Sequence, residues 1–292
     1  MTDSTKTKYS VFCSLILIQN LLYGVGDPLS KVAYEVMPVY SLLTIRYSIA
    51  LILLILYGRG RILKELKACP VKIWLLPSLC IAGCYILSNV ALGLTAATSV
   101  AFLRSLTTVM TPLLAYAAYR TRYHWMHFPV QALIVLGLYL LCGLGGLSGF
   151  GLGEILTLLS ALLMAGALVF GGHALAQISA ITLTTVQTAA SVLLALICSI
   201  LFDGGIVYSS ATPPVWGIIL YLGICCTLAG YMLQNKALER IPSRTVALLQ
   251  CLCPVMTAIF SFLLLGEKLS GPGILGAVIL LFCVAIEIKW GQ

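Results

Sequence analysis

Residues 85–111 read YILSNVALGLTAATSVAFLRSLTTVMT, and residues 231–257 read YMLQNKALERIPSRTVALLQCLCPVMT. When one stretch is laid over the other with a shift of 146 positions and no gap, 12 of the 27 positions match. The matches that apolar composition does not explain are Tyr85/Tyr231, Asn89/Asn235 and the run V-M-T. Self-similarity at a fixed spacing indicates a duplication. The sequence therefore predicts two related halves, residues 1–147 and residues 148–292.

Both stretches lie in a strongly apolar chain. Of its 292 residues, 61% are hydrophobic and 9% are charged, whereas a soluble domain has about 25% charged residues. A membrane-spanning helix needs about 20 mostly apolar residues. Apolar runs of this kind lie near 11–34, 39–57, 73–93, 97–119, 128–147, 151–174, 180–203, 213–235, 244–265 and 271–290. We therefore predict an all-α, polytopic membrane protein with about ten transmembrane helices.

The basic residues are distributed unequally between the connections. If the N-terminus is cytoplasmic, the cytoplasmic segments hold 13 of the 17 basic residues, and the outer segments hold only Lys31 and Lys268. Cytoplasmic loops carry the excess of lysine and arginine in membrane proteins. This pattern predicts a multi-pass protein of the cytoplasmic membrane with both termini in the cytoplasm.

The predicted arrangement of the two halves indicates a function. Each half holds five spans, and an odd number makes the second copy enter the membrane from the opposite side. Inverted five-helix repeats of this kind build many secondary transporters, with the substrate site between the halves near the bilayer midplane. The sequence thus favours transport by alternating access.

The second half carries the most distinctive motifs of the chain. They are the stretch from Tyr231 to Thr257, the G-E-K-L segment at Gly266 to Leu269, and the G-x-x-L-G-A-V-I-L-L run that follows. With Gly24, Lys31, Pro38, Arg46 and Glu154, these residues resemble the EamA type of the drug/metabolite transporter superfamily. The resemblance covers essentially the whole chain. It implies a ten-helix transporter with a central cavity and substrates that include amino acids, other metabolites and drugs.

Other classes of function lack their motifs in this sequence. No G-x-x-x-x-G-K-[ST] phosphate loop is present, so ATP is not expected to drive the protein directly. No H-E-x-x-H or G-x-S-x-G motif is present, and most of the 11 cysteines lie in apolar runs, where cysteine acts as a small hydrophobe. We expect no enzyme activity, no metal, no cofactor and no nucleic-acid partner.

Charged residues inside predicted spans are functional or structural candidates, because each raises the free energy of membrane insertion by about 2.5 to 3.5 kcal/mol. Asp27 and Lys31 are spaced i to i+4 and flank Pro28, which suits a structural ion pair. Alternatively, Gly24, Gly26 and Pro28 interrupt the first helix and make Asp27 a proton-coupling carboxylate. Glu154 is a second candidate for proton coupling.

Arg104 is the leading candidate for substrate binding. Within the repeat it lies over Gln250, so one polar side chain approaches the cavity from each half, and the charged one suits a carboxylate. The alternative is a structural bridge from Arg104 to Glu154. Arg46 is expected to be structural, like Lys31. The remaining candidate substrate-binding residues are Tyr85, Asn89, Tyr231, Asn235, Gln187 and Asn20, which could equally serve helix packing.

The sequence thus predicts a secondary transporter of a small metabolite resembling an amino acid or organic acid, with export as the expected direction. Its partners would be the small-molecule substrate and the lipid bilayer, with proton coupling, in a monomer or homodimer. The alternatives are efflux of drugs or cationic amphiphiles, and a receptor that does not transport.

Overall fold

The computed structural model describes residues 3–95, 97–120, 128–143, 151–207, 212–265 and 271–290. Every regular element in these ranges is helical. In chain order the helices are α1 (Asp3–Tyr34), α2 (Val39–Ala68), α3 (Val71–Leu94), α4 (Ala97–Ser105), α5 (Thr107–Tyr119), α6 (Phe128–Leu138), α7 (Leu152–Ala174), α8 (Ala180–Cys198), α9 (Pro213–Tyr221), α10 (Gly230–Leu238), α11 (Ser243–Gln250), α12 (Cys253–Leu265) and α13 (Gly271–Trp290). Wider π-helical turns extend α6 through Tyr139–Gly143 and α8 through Ser199–Asp203, and Leu222–Ala229 joins α9 to α10. The G-E-K-L segment lies outside the described residues.

Seven helical stretches of the described residues are long and apolar enough to cross a membrane. They are Tyr9–Tyr34, Val39–Gly58, Val71–Leu94, Leu152–Ala174, Ala180–Asp203, Pro213–Leu238 and Ser243–Phe260. Two shorter apolar helices, Pro129–Leu141 and Gly271–Ile286, accompany them. The expected all-α, multi-pass membrane protein is confirmed, and the number of ten spans stays a prediction.

The alternative in which Gly24, Gly26 and Pro28 interrupt the first helix is wrong. The α1 helix runs from Asp3 to Tyr34 with Pro28 inside it. A neighbouring segment contacts the α1 backbone six residues before Pro28, where the Tyr221 hydroxyl donates to the Leu22 carbonyl oxygen at 3.0 Å and the Cys226 thiol donates to the same oxygen at 3.4 Å. These contacts join α1 to α9 and to the Leu222–Ala229 segment.

The most extensive helix contacts join the two predicted halves. They are α3 with α7, α2 with α8, α1 with α12, and α3 with α8. Gly24 permits the third of these, because a Cβ atom at this position would lie 2.5 Å from the Met256 Cβ and 2.8 Å from the Met256 carbonyl carbon. The halves therefore form one interdigitated core.

The α2 and α8 helices run antiparallel, and each begins against a carboxylate from the far end of the other. The Ser41 amide and hydroxyl, in the first turn of α2, donate to Asp203 Oδ2 at 2.8 and 2.9 Å. The Ser179 amide and hydroxyl, at the start of α8, donate to Glu65 Oε2 at 2.8 and 2.7 Å. Both carboxylates satisfy amides that a helix start leaves unpaired and complement its dipole. The repeated sequence thus produces the same cap twice, in opposite orientations.

Candidate functional site

Residues separated by 146 positions meet at the centre of the bundle. The rings of Tyr85 and Tyr231 stack with their centroids 5.4 Å apart and an angle of 21° between their planes. The Cys251 thiol approaches the carbonyl oxygen of Ser105 at 3.9 Å. Equivalent residues of two repeats can touch only near the axis that relates the repeats. The axis therefore passes between these pairs, where α3 meets α10 and the α4–α5 junction meets the α11–α12 junction.

A pocket lies beside this axis. The cavity between its walls has a volume of about 50 Å³, and further space is open to the exterior. This volume is below the roughly 300 to 1,000 Å³ of small-molecule sites, so the walls would have to move apart to admit a metabolite. Its polar lining residues include Asn20, Tyr23, Tyr85, Arg104, Thr107 and Gln250. The structure thus brings four of the sequence candidates, Asn20, Tyr85, Arg104 and Gln250, to one surface that both halves build.

Arg104, the charged residue of the pocket lining, forms an ion pair with Asp27, which lies beside the lining. Arg104 Nη2 lies 3.7 Å from Asp27 Oδ2, and the same carboxylate oxygen accepts a hydrogen bond from the Thr257 hydroxyl at 2.9 Å. The side chains of Arg104 and Asp27 keep 23% and 38% of their surface exposed. Because 3.7 Å exceeds the length of a strong charge-assisted hydrogen bond, the guanidinium has room for a second anionic partner. Lys31, four residues along α1, is exposed.

Glu154 does not occupy the position that the sequence suggested. Its carboxylate accepts hydrogen bonds from the Thr95 hydroxyl and, at 2.9 Å, from the Gly151 amide, at the start of α7. The bridge to Arg104 considered from the sequence is therefore wrong for the described residues, since Asp27 is the carboxylate beside Arg104. Glu154 caps α7 and ties it to the end of α3.

Three glutamine side chains form a hydrogen-bonded group between the pocket and the core. Gln250 Nε2 donates to Gln234 Oε1 at 2.8 Å and to Gln19 Oε1 at 3.2 Å. Gln19 Nε2 donates to Gln234 Oε1 at 3.2 Å. The sequence reasoning missed Gln19 and Gln234, although an uncharged amide inside an apolar span is a usable signal for interhelical contact. Gln250, which lines the pocket, is held in place by this group.

The four other candidates, Asn235, Gln187, Asn89 and Tyr231, make contacts between helices or within one. Asn235 Nδ2 donates to Thr184 Oγ1 at 2.9 Å and to Gln187 Oε1 at 2.7 Å, which joins α10 to α8. Asn89 accepts from the Tyr34 hydroxyl and donates to the Tyr85 carbonyl oxygen. Tyr231, 1% exposed, forms the buried half of the tyrosine stack. These contacts position the helices around the pocket.

The charged residues of this region share one level of the bundle. Asp27 precedes the end of α1 by seven residues, and Arg46 and Arg104 follow the starts of α2 and α4 by seven residues. All three helices meet the same end of the bundle, so these charges lie about 10 Å from it along the helix axes. Counted from the matching ends of α7, α8 and α11, the positions in the second half are Ala167, Gln187 and Gln250, which are uncharged.

Known proteins resemble this chain over nearly its whole length. The model of the EamA-like transporter family matches residues 11–143 and 151–287. An uncharacterized transporter of Archaeoglobus fulgidus is 26% identical over 270 residues, which covers 91% of this chain and 82% of that protein. The uncharacterized transporter YcbK of Bacillus subtilis is 29% identical over 122 residues, 41% of this chain and 39% of that protein. A protein crystal structure matches with a TM-score of 0.79 at 18% identity, covering 96% of each chain, and it shows the fold alone.

Proposed function

This chain belongs to the EamA-like transporter family, and we propose that it exports a small metabolite bearing a carboxylate across the cytoplasmic membrane. The substrate class comprises amino acids and organic acids, and the mechanism is alternating access between the two five-helix halves, residues 1–147 and 148–292. Both termini face the cytoplasm in this proposal. The level of Asp27, Arg46 and Arg104 then lies in the outer half of the membrane.

The observation that carries the proposal is that Arg104, which lines the pocket, is paired with Asp27. An arginine binds a carboxylate through two parallel N–H donors, whereas Asp27 now offers one oxygen at 3.7 Å. A substrate carboxylate that can accept both N–H donors would replace Asp27 as the partner of the Arg104 guanidinium. A substrate ammonium group would then pair with the Asp27 carboxylate. An ion pair of this kind complements a zwitterion.

Proton coupling is assigned to Asp27 rather than to Glu154. Both oxygens of Glu154 are occupied at the start of α7, whereas Asp27 is the more exposed member of the pocket pair. The groups that face Asp27 from neighbouring elements are Arg104 of α4, Thr257 and Cys253 of α12, and Cys226. An organic acid that lacks an ammonium group would leave Asp27 available for a proton.

Flux into proteoliposomes tests the proposal. We expect Arg104→Ala to abolish uptake of the amino acid or organic acid that the wild type carries, and Arg104→Lys to restore part of it. Arg240→Ala removes an exposed arginine that does not line the pocket and is the matched control. Undiminished flux in a well-folded Arg104→Ala variant would exclude Arg104 as the carboxylate ligand.

A further inference from the structure

Arg46 is a buried charge that the proposed pocket does not yet use. Only 7% of the residue is exposed. Its Nε donates to the Thr227 hydroxyl oxygen at 3.3 Å, and its Cζ lies 5.1 Å from the centroid of the Tyr47 ring. Within the described ranges, no carboxylate lies at ion-pair distance from this guanidinium.

The surroundings of Arg46 supply more donors than acceptors. Tyr34, Tyr47 and Tyr231 are its electrostatic neighbours. The hydroxyls of Tyr47 and Tyr231 are fully buried and make no hydrogen bond of ordinary geometry to the described residues. Buried polar groups are nearly always hydrogen-bonded. A cation and two hydroxyls gathered without an anion form surroundings that a carboxylate would satisfy.

Tyr23 connects this place to the pocket. It lines the pocket, its hydroxyl accepts from the Tyr85 hydroxyl at 3.1 Å, and Arg46 is among its electrostatic neighbours. Arg46 lies at the same level of the bundle as Arg104 and Asp27. A substrate that reaches past Tyr23 would thus meet two positively charged residues, Arg46 and Arg104, and one negatively charged residue, Asp27.

We infer that Arg46 binds the second carboxylate of the substrate, which is therefore an acidic amino acid. This inference rests on the proposed function and narrows its substrate class. The α-carboxylate pairs with Arg104, the ammonium group with Asp27 and the side-chain carboxylate with Arg46. The substrate carries one net negative charge and the three residues one net positive charge, so the complex is neutral. Neutrality matters inside a bilayer, where an unpaired charge is disfavoured.

A purely structural role for Arg46 is the competing explanation. The second half supplies a comparison, because Gln187 follows the start of α8 by the same seven residues as Arg46 follows the start of α2. Gln187 is 1% exposed and holds Asn235 through an uncharged hydrogen bond. At this distance from the start of α8, a neutral amide thus makes the interhelical contact without a charge.

Ligand-dependent thermal unfolding of the purified full-length protein tests the inference, because a bound ligand stabilises the folded state by mass action. The probes are L-glutamate, L-glutamine and glutarate at matched ionic strength. Glutamine lacks the second charge, and glutarate lacks the ammonium group. In the wild type we expect half-saturation by glutamate at a concentration about tenfold below that for glutamine, since a charge-assisted contact is lost. Arg46→Gln should remove this preference and leave glutamine binding within about twofold.

The outcomes separate this inference from the proposed function. If glutamate and glutamine stabilise the wild type equally, or if Arg46→Gln keeps the glutamate preference, Arg46 is structural and the inference fails. The proposed function survives that result if Arg104→Gln abolishes stabilisation by all three probes. Should Arg46→Gln not fold, Tyr47→Phe is the second variant. This variant removes one hydroxyl, and we expect it to weaken the binding of glutamate more than the binding of glutamine. Equal weakening of the binding of both ligands overturns the inference.

Discussion

Arg104 and Asp27 face each other across 3.7 Å, although 77 positions separate them in the chain. Each also contacts α12, since Thr257 donates to the Asp27 carboxylate and Arg104 Nη2 lies 3.9 Å from the Cys253 sulfur. The pair therefore joins α1 and α4 of the first half to α12 of the second half. Substrate binding at this point would alter a contact between the halves, which is what alternating access requires.

The Arg104–Asp27 pair predicts non-additive effects on stability. Arg104→Gln and Asp27→Asn each leave one charge without its partner, whereas the double variant removes both charges. Because both side chains are partly exposed, we expect a coupling of about 1 kcal/mol, less than for a fully buried pair. Thermal unfolding of the four proteins measures it. Strictly additive losses would show that the pair contributes nothing to the stability of this state.

The tyrosine stack predicts a second coupling. Tyr85→Leu and Tyr231→Leu should each destabilise the protein, and the double variant should lose less than the sum. The expected interaction is about 0.5 to 1.5 kcal/mol, as for other aromatic pairs. Tyr116→Leu, at an exposed tyrosine, serves as the control and should change stability little. Denaturation in a single detergent provides the comparison, and a coupling near zero would contradict the packing role of the stack.

Gly24 predicts a steric effect that depends on position. Gly24→Ala would place a methyl group 2.5 Å from the Met256 Cβ, so α1 must move away from α12. Overpacking of this kind typically destabilises by about 1 to 3 kcal/mol. Gly172→Ala is the matched control, because no atom lies within 4 Å of the added carbon. It should be neutral or stabilising by up to about 1 kcal/mol. Similar losses in both variants would contradict this explanation, because contact with α12 could not then account for the loss at Gly24 and alanine by itself favours a helix.

Glu65 predicts a dependence of stability on pH. Burial raises the pKa of this carboxyl, but hydrogen bonds from Arg61, Ser179 and Thr182 outweigh it and lower the pKa from 4.5 to about 2. Because the folded pKa lies below the unfolded value, the stabilisation is present above pH 4.5 and is lost as the pH falls toward 2. Unfolding midpoints measured between these limits should fall more steeply in the wild type than in Glu65→Gln. Parallel curves would show that the helix cap does not titrate in this range.

Alternating access predicts that the pocket opens to both sides of the membrane. Ala247 lines the pocket close to Gln250, and a cysteine there, in a background without other cysteines, reports access by impermeant thiol reagents. We expect labelling from either face when reagent is added to right-side-out or inside-out vesicles. Labelling from one face only would favour a receptor over a transporter.

The charged pair and the glutamine group mark the limit of what could be predicted from the sequence. The repeat comparison placed Arg104 over Gln250, and both line the pocket. The depth of the two residues in their spans offered Glu154 as an alternative partner of Arg104, whereas the structure provides Asp27. The repeat comparison also passed over Gln19 and Gln234, which hold Gln250. A helix pattern gives depth in the membrane, but it does not show which neighbouring helix a side chain faces.

The sequence by itself determined the class of the protein and the centre of its symmetry. Hydropathy decides membrane insertion because each span must be apolar on its own, and a duplicated chain brings equivalent residues such as Tyr85 and Tyr231 toward one axis. Only the tertiary structure decided the ionic partner of Arg104, the capping role of Glu154 and the surroundings of Arg46. These depend on the rotation of each helix about its axis and on which helices adjoin, and packing between distant parts of the chain sets both.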